Sequence, residues 1–489
     1  MSELRQTWRG LSRSPGFTLT AILILAAGIG ANTAIFSLAD AVILRPLPGI
    51  SDPSALVDLS GNSVSYPTYR TIRDEAAGTA RMAAWSDRSM SLAHAGDARM
   101  VGGVVVSSNY FDVLGARPAL GRFFQPSEDE GGEAVAVLAE GFWAGEFGAD
   151  PAILGRSIRV NGVPLTIVGV APKGFRGAAF AIFPDLWVPV GTWPRLATGP
   201  LANFDIHSRN WGWMTVFGRR EAGVPLEQAR AALLTILRRD AAAHGEDFDA
   251  ARWSVVPTTV AATGANEEFG PPRIFALLGG AVLTALLIAC ANLANLLLAR
   301  GAARQKEIAV RQALGASRGR IARQVLSESL LLGLAGGAAG LVVANALLSL
   351  FVQVPLIEDF TLGLFRPEIG SRAFAFAAIL AALVGVSFGL LPAWRASNAP
   401  AAPILAAGSS RIARGAGLTK ALVSAQVALC LALLATSGLL GRSLVRALSI
   451  DLGLEPRGVT VAYVNLGLAR YDAARALSFA AELPRRLAE

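Results

Sequence analysis

The sequence predicts a membrane protein with α-helical transmembrane spans and a mixed α+β extracytoplasmic domain between spans one and two. Three observations predict this fold class. The 489 residues are 53% apolar and have a mean hydropathy of +0.47, which is too high for an ordinary soluble enzyme. The apolar residues also cluster in stretches of about 20, the length that crosses a bilayer. The polar segment 45–273, in contrast, is long enough to bury a core of its own.

The ends of the apolar stretches divide the chain into five spans and the segments that connect them. Pro392 predicts the end of the fourth span, because proline interrupts a helix. The predicted ranges are 1–16 for a cytoplasmic amphipathic lead, 17–44 for span 1, 45–273 for the extracytoplasmic core domain, 274–298 for span 2, 299–328 for a cytoplasmic coupling elbow, 329–351 for span 3, 352–372 for an external loop, 373–391 for span 4, 392–420 for a cytoplasmic linker, 421–446 for span 5 and 447–489 for the start of a second, incomplete extracytoplasmic domain.

The first span can be a retained helix or a cleaved signal peptide. Ala39 and Ala41 would suit a cleavage site. However, the apolar run from Phe17 to Leu38 is longer than the roughly 7 to 15 residues of a signal-peptide core, so we interpret it as a retained helix. Arginines in the lead before it predict a cytoplasmic N-terminus.

The extracytoplasmic domain shows both helical and strand patterns. Asn161-Gly162 separates two short strand patterns and is a strong signal for a β-hairpin. The predicted helices are 66–77 and 229–240, and the predicted strands are 100–106, 134–138, 157–160, 165–170 and 253–257. This mixture predicts an α+β domain.

The net charge of +8 raises the question of a nucleic-acid partner. The large polar segment 45–273 has 21 Lys and Arg against 24 Asp and Glu, so it carries none of the positive excess. The excess lies beside the spans, where it sets topology and contacts anionic lipid. We therefore expect membrane lipid, and no nucleic acid, as a partner.

The elbow, 299–328, is the segment around which the chain is organised. It is strongly basic, which places it in the cytoplasm. Glu307 and Arg311 are spaced to pair along one face of a helix, with Ile308 and Leu314 on the apolar face beside them. Gly315 allows the backbone to turn, and Arg318 begins a second helix.

Polar and small residues inside the spans predict helix packing. Asn292 and Asn295 lie in span 2, where each amide needs a partner, most simply on a neighbouring helix. Span 3 contains four glycines that form two small-xxx-small pairs, namely Gly333, Gly336, Gly337 and Gly340. Packing explains these residues better than a substrate site does.

The sequence shows no catalytic, metal or cofactor motif. None of the three lysines is followed by Ser or Thr, so a P-loop is not present. The two cysteines, Cys290 and Cys430, lie in spans. The histidines His94, His207 and His244 lack the spacing of known metal motifs, and solvated loops explain them better. We predict no enzyme activity in this chain.

Long stretches of the sequence resemble one transporter family. EIAVRQALGASRGRIARQVLSESLLL at 307–332, followed by GLAGGAAGLVVA, resembles the signature of the MacB/FtsX-type permeases of ABC transporters. SSNYFDVLGARPALGRFF and ILGRSIRVNGVPLTIVGVAPKGFRG are similar to the MacB-type core domain. RSPGFT, GIGANTAIFSL and LRPLPG near the N-terminus resemble the duplicated acidobacterial type. The tail resembles the start of a second such domain, so we expect one full permease unit and a truncated second one.

The resemblance implies a function and a site. A separate ABC ATPase would dock on the elbow, through Glu307, Ile308, Arg311, Ala313, Leu314 and Gly315. The permease would act in the bacterial inner membrane as a dimer or pseudo-dimer, coupling ATP hydrolysis to movements of the extracytoplasmic domain for export or efflux. The alternative is an FtsX-like signalling protein that activates an envelope partner such as a cell-wall hydrolase. A periplasmic or outer-membrane partner fits either function.

Overall fold

The computed structural model describes residues 14–45, 48–94, 97–131, 133–178, 183–198, 205–258, 271–303, 317–353, 355–357, 360–361, 367–398, 416–449, 466, 471 and 473–487. The chain divides into two compact units. The first contains Met1–Arg45 and Pro271–Arg457, and the second contains Pro46–Gly270 and Gly458–Glu489. The second unit thus includes most of the predicted range 45–273 together with the tail 458–489, and the five predicted spans fall in the first unit.

Eleven α-helices lie in the described part of the chain. In chain order they are α1 Pro15–Ala39, α2 Tyr66–Glu75, α3 Tyr110–Leu114, α4 Glu140–Phe147, α5 Trp193–Leu196, α6 Leu226–Ala243, α7 Pro271–Ala303, α8 Arg318–Val352, α9 Ser371–Asn398, α10 Ala416–Leu448 and α11 Ala473–Leu487. A π-helical turn, Asp40–Leu44, extends α1. Helices α1 and α7 to α10 belong to the first unit.

Four stretches of the described helices are long and apolar enough to cross a membrane. They are Pro15–Leu44, Pro272–Leu297, Gly319–Val352 and Val423–Ser443. The apolar run of α9, Ser371–Ser387, is shorter. The prediction that this helix stops at Pro392 is wrong, since it continues to Asn398. A proline removes one backbone hydrogen bond, and membrane helices tolerate that loss.

The first unit is a helix bundle with its own apolar core. Side chains of α1, α7, α8 and α9 meet there, and the core consists of Ala21, Leu25, Ile29, Leu286, Cys290, Leu293, Leu332, Ala377, Ala381 and Val384. Helix α10 contacts α7 but leaves most of its described side chains exposed, including Leu431 at 61% and Leu434 at 68%. In a bilayer such a surface faces lipid or another membrane helix.

The second unit contains a ten-stranded sheet. Its strands are β1 Leu56–Val64, β2 Ala80–His94, β3 Asp97–Val106, β4 Leu120–Gly121, β5 Val135–Leu138, β6 Ser157–Val160, β7 Val163–Val170, β8 Leu186–Pro189, β9 Met214–Arg220 and β10 Ser254–Pro257. The order is β10-β1-β9-β2-β3-β8-β5-β7-β4, and β6 pairs with both β2 and β7. Two further short strands, β11 Pro355–Ile357 and β12 Phe360–Thr361, pair with each other in the loop before α9.

The double pairing of β6 closes six strands into a ring. The path runs β2-β3-β8-β5-β7-β6 and returns to β2. This is feasible because β2 is 15 residues long. One edge of β2 pairs with β3, and the other pairs first with β9 and then with β6, at Leu92 and Ala93. Closure of this kind removes exposed sheet edges.

The predicted elements of this unit are largely present. Val160 pairs with Val163 across the hairpin that Asn161-Gly162 predicts, and both turn residues have positive φ. The helices predicted at 66–77 and 229–240 are observed as α2 and α6, with shifted ends. Strands β1, β2, β4, β8 and β9 were not predicted. The apolar helices and the mixed α+β unit confirm the predicted fold class.

Two apolar clusters form the core of the second unit. One lies where α2 and α6 pack on the sheet, and it includes Tyr69, Ile72, Leu233 and Leu237. The other is aromatic, and its buried members include Tyr110, Phe111, Trp187 and Phe217. Ring centroids in the aromatic cluster lie 5.3 to 5.6 Å apart at steep angles, a favourable geometry for aromatic pairs.

Candidate functional site

The residues predicted to form the coupling elbow lie outside the described part of the chain. Those residues are Glu307, Ile308, Arg311, Ala313, Leu314 and Gly315. The structure describes only the flanks, where α7 ends at Ala303 and α8 begins at Arg318, as the sequence predicts for the second helix. The elbow therefore stays a prediction, and the helices that adjoin it can be analysed directly.

The four glycines of α8 form two faces that contact different helices. A Cβ added to Gly336 would lie 2.5 Å from Cβ of Leu25, and Gly340 lies against the backbone of Gly30, so this pair faces α1. The other pair is Gly333 and Gly337. A Cβ added to Gly333 would lie 2.6 Å from the carbonyl oxygen of Ala381 in α9. A Cβ added to Gly337 would lie 2.7 Å from Cβ of the same alanine. Helix α8 is thus fitted closely between α1 and α9.

One amide joins α1 to α7 inside the bundle. Nδ2 of Asn32, a residue that is only 7% exposed, donates to the carbonyl oxygen of Val282 at 3.0 Å and to that of Gly28 at 2.9 Å. The sequence analysis singled out Asn292 and Asn295 instead. Oδ1 of Asn295 is buried and has no hydrogen-bond partner among the described residues. The bridging amide therefore comes from the first span.

A cluster of charged side chains lies at the end of α1, and we call it the exit cluster: Asp40, Arg45, Glu368 and Arg372. Asp40 is 5% exposed. Its Oδ2 is 3.2 Å from Nε of Arg45, and its Oδ1 is 3.3 Å from Nη1 of Arg372, at the start of α9. Nη1 of Arg45 is 3.4 Å from Oε1 of Glu368. An acidic residue inside an apolar span was the sequence signal that could have identified this cluster.

The second unit offers a polar cleft of about 570 Å³. Its lining carries charges of both signs, including Arg70, Arg195, Glu130 and Asp129. Both carboxylate oxygens of Asp129 accept from the backbone amide of Ser108 at 2.9 Å, and Oδ2 also accepts from its hydroxyl at 2.7 Å. Burial raises the pKa of Asp129, and these hydrogen bonds lower it in part. The buried carboxylate of the cleft thus holds the fold together locally.

The histidines take structural positions where their side chains are described. The ring of His207 lies edge-on to Tyr66, with centroids 6.2 Å apart, and Nδ1 of His244 lies 2.7 Å from the carbonyl oxygen of Asp240. Among the described residues, no group of three His, Cys, Asp or Glu is placed to hold a metal ion. The side chain of His94 lies outside the described set.

Comparisons with known proteins identify both parts of the chain. The family described as MacB-like periplasmic core domain matches residues 18–236, and the family described as FtsX-like permease C-terminal matches residues 279–401. The first match covers most of α1 and most of the second unit. The second covers most of α7, all of α8 and α9, and the predicted elbow.

Several curated relatives carry the same name. The protein "Macrolide export ATP-binding/permease protein MacB" of Burkholderia pseudomallei (strain 1710b) is 29% identical over 299 residues, which is 60% of this chain and 41% of the relative. The protein of the same name from Neisseria gonorrhoeae is 28% identical over 299 residues, with the same coverage. This chain thus spans less than half the length of these relatives.

A solved structure is similar to part of the chain. It is the periplasmic region of MacB from Actinobacillus actinomycetemcomitans, with 15% identity and a TM-score of 0.35, covering 46% of this chain and 99% of that one. The two family matches follow each other along the chain in the order that the sequence resemblance predicts. The chain therefore belongs to the MacB/FtsX-type permeases of ABC transporters, which are multi-pass proteins of the bacterial inner membrane.

Proposed function

We propose that this chain is the permease of an ABC-type export or efflux system, and that a separate ATPase drives movements of its extracytoplasmic domain. The observation that carries the proposal is the position of the lysines. The chain has only Lys173, Lys306 and Lys420, and none precedes Ser or Thr. The Gly-Lys-Ser/Thr step of a P-loop is thus not in these residues, which supports assigning ATP hydrolysis to a separate ATPase. The relatives' name, which joins ATP binding to export, supports ATP-driven transport.

The elbow would be the contact with that ATPase. In this proposal Glu307 and Arg311 hold its first helix and offer charges to the partner. Leu314 fills a groove on the ATPase, and Gly315 sets the bend. The basic character of the segment supports a cytoplasmic location, with the N-terminus on the same side.

The packing of α8 supports transmission from the elbow into the bundle. Helix α8 begins immediately after the elbow at Arg318. Its Gly336 and Gly340 contact α1, and its Gly333 and Gly337 contact α9, with little or no space for side chains between them. Helices fitted this closely move together rather than slide past one another. A displacement at the start of α8 would therefore reach both neighbours.

We infer that the permease works as a dimer or pseudo-dimer, as is general in the family. The apolar face of α10 supports this inference, because Val427, Leu431 and Leu434 are more than half exposed in the single chain. A second permease half or lipid would cover them. A periplasmic or outer-membrane partner for the extracytoplasmic domain belongs to the same proposal.

The test is recovery of the ATPase with the solubilised full-length chain from its native membrane. Wild-type protein should retain one P-loop ATPase, identified by mass spectrometry. Gly315→Leu should lose it and uncouple ATP hydrolysis, because the added side chain prevents the bend. Membrane insertion of this variant should stay intact.

Gly280→Leu is the matched control. A Cβ at Gly280 meets no atom within 4 Å, so the same substitution there should leave ATPase recovery unchanged. If wild-type protein retains no P-loop ATPase, the proposed function is wrong. If Gly315→Leu retains the ATPase and full coupling, the elbow assignment is wrong while the permease assignment stands.

A further inference from the structure

Helix α1 ends in a turn that is wider than an α-helical turn. Its last segment, Asp40–Leu44, is π-helical, and the backbone amide of Arg45 donates to the carbonyl oxygen of Asp40 at 2.8 Å, five residues back. Such turns are rare and occur frequently at functional sites. Conversion to an ordinary α-turn would shift the register of the following chain by one residue. The following chain is Pro46, the first residue of the second unit.

Arg372 of α9 holds this turn from outside. Its Nη1 donates to the carbonyl oxygen of Leu44 at 3.1 Å and to Oδ1 of Asp40 at 3.3 Å. The last carbonyls of a helix have no partner inside that helix. A side chain from a different membrane helix therefore satisfies the first and the last residue of the π turn together.

Arg372 can leave Asp40 without exposing an unpaired buried charge. The carboxylate of Asp40 is also held by Arg45, at 3.2 Å from Nε, and the Arg372 side chain is 57% exposed. The second unit provides a contrast. The buried Asp240 carboxylate accepts both of its short guanidinium bonds from Arg209, whose side chain is only 22% exposed. Compared with the Arg209–Asp240 pair, the contact between Arg372 and Asp40 is thus the one that can break and form again at lower cost.

A separate contact keeps α1 and α9 together when the cluster opens. The rings of Phe36 and Phe376 stack with centroids 4.4 Å apart and an interplanar angle of 3°. Phe36 is one turn before Asp40, and Phe376 is one turn after Arg372. Loss of the Arg372 contacts would therefore change the π turn without separating the two helices.

We propose that Arg372 is a positioning residue that sets the register of the π turn, and with it the direction in which the chain leaves α1 for the extracytoplasmic domain. This inference rests on the proposed function for its driving force. Movement at the elbow would pass along α8 to α9 through the contacts of Gly333 and Gly337 with Ala381. Helix α9 carries that movement to Arg372, which releases or holds the end of α1.

The first test requires no ATPase. Hydrogen exchange of the full-length chain in nanodiscs, read by mass spectrometry, reports opening of the amides at 41–45. Arg372→Gln should increase their exchange about tenfold, the effect expected for loss of one charged hydrogen bond. Arg442→Gln, an exposed arginine on α10, is the matched control and should change this exchange less than about twofold. Unchanged protection at 41–45 in Arg372→Gln would overturn the proposal.

The second test separates positioning from a merely structural role. The complex with its co-purified ATPase is compared with and without ATP and vanadate, and exchange is followed at 40–64 and at 299–328. Arg372→Gln should keep the nucleotide response at 299–328 and lose it at 40–64, and Arg372→Lys, which keeps the charge and the donors, should restore it. A response at both segments in Arg372→Gln would overturn the inference. If nucleotide does not change hydrogen exchange at 299–328 in the wild type, the proposed function is contradicted. The role of Arg372 would then still be decided by the first test, which measures exchange at 41–45 in the chain alone.

Discussion

Gly340 of α8 lies so close to Gly30 of α1 that Gly30 has no room for a side chain and Gly340 has little. A Cβ added to Gly30 would be 2.8 Å from the carbonyl oxygen of Gly340, and one added to Gly340 would be 3.2 Å from the amide nitrogen of Gly30. Membrane helices gain little hydrophobic energy from meeting each other, so their association depends on close contact between backbones. This pair therefore fixes the distance between the first and third predicted spans.

We predict that Gly30→Val destabilises the bundle. The new side chain would overlap the backbone of Gly340 and the Val343 side chain, and overpacking of this kind costs about 1–3 kcal/mol. The measurement is the fraction of protein that stays monodisperse by size-exclusion chromatography after heating in detergent. Gly280→Val, at a position with open space, is the control and should match the wild type. Equal thermal resistance of Gly30→Val and the wild type would show that α1 and α8 do not meet at this position.

The Asn32 amide should contribute less than the glycine contact. Asn32→Leu removes the hydrogen bond to the Val282 carbonyl, and interhelical bonds in membranes are worth about 0.6 kcal/mol on average. We expect a small but measurable loss in the same heating assay. Thr284→Val removes a hydrogen bond within one helix, from Oγ1 to the Gly280 carbonyl, and should have a smaller effect. A larger loss in Thr284→Val than in Asn32→Leu would contradict the bridging role.

The sequence predicted the existence of the membrane helices, but their pairing was not predictable from it. Glycines at i and i+4 predict a surface for close approach, yet their spacing is the same for the pair facing α1 and the pair facing α9. Only the three-dimensional packing distinguishes them. In the exit cluster, the acidic Asp40 in an apolar span was a visible signal, but its partner Arg372, 332 positions away, was not predictable.

The extracytoplasmic unit shows a similar limit. The Asn161-Gly162 hairpin was predicted because its turn chemistry is local. Strand β2, with the sequence ARMAAWSDRSMSLAH, lacks clear alternation of apolar and polar residues and was missed. The buried face of β2 contains the polar Ser86 among its apolar residues, and Ala83 is buried on the opposite face, so no clean alternation is visible. The parallel pairs β3–β8 and β5–β7 join distant segments, which no local pattern indicates.

The ion pair between Arg209 and Asp240 should stabilise the extracytoplasmic unit. The two guanidinium–carboxylate bonds are 2.8 and 3.0 Å long, and the Asp240 side chain is 3% exposed. We expect Asp240→Asn to cost about 2 kcal/mol, less than a fully buried pair because Arg209 remains partly exposed. Tryptophan fluorescence during unfolding of the full chain is a suitable measurement, since seven of the nine tryptophans lie in 46–270.

The matched control lies on the same helix. Glu227 and Arg230 form an exposed pair at 3.7 Å in α6, so Glu227→Gln should change the unfolding free energy by less than about 0.5 kcal/mol. The Asp240 effect should also depend on pH. Burial acts to raise the pKa of Asp240, but the hydrogen bonds and charge of Arg209 outweigh it and lower the pKa below 3.8. The stabilisation is therefore present above pH 3.8 and is lost as the pH falls through the folded-state pKa. An effect that does not change with pH would contradict the charge pairing.

Asp58 should show the opposite dependence on pH. It lies on β1 between β9 and β10, is 7% exposed, and its Oδ2 has no hydrogen-bond partner among the described residues. Burial raises the pKa of Asp58 to about 7, and the nearby Thr258 hydroxyl lowers it only in part. The folded unit therefore binds a proton that the unfolded chain, with an ordinary pKa of 3.8, releases.

The sign of the effect follows from this difference. Between pH 3.8 and about 7, Asp58 ionises in the unfolded chain but stays protonated in the folded unit. The free energy of unfolding therefore falls across this window and is constant above it. Asp58→Asn resembles the protonated side chain and should be more stable than the wild type by at most about 4 kcal/mol at pH 8. Below pH 3.8 the two proteins should unfold alike. If Asp58→Asn has the same advantage at pH 3 as at pH 8, the gain comes from packing, and Asp58 does not carry the burial cost of a charge.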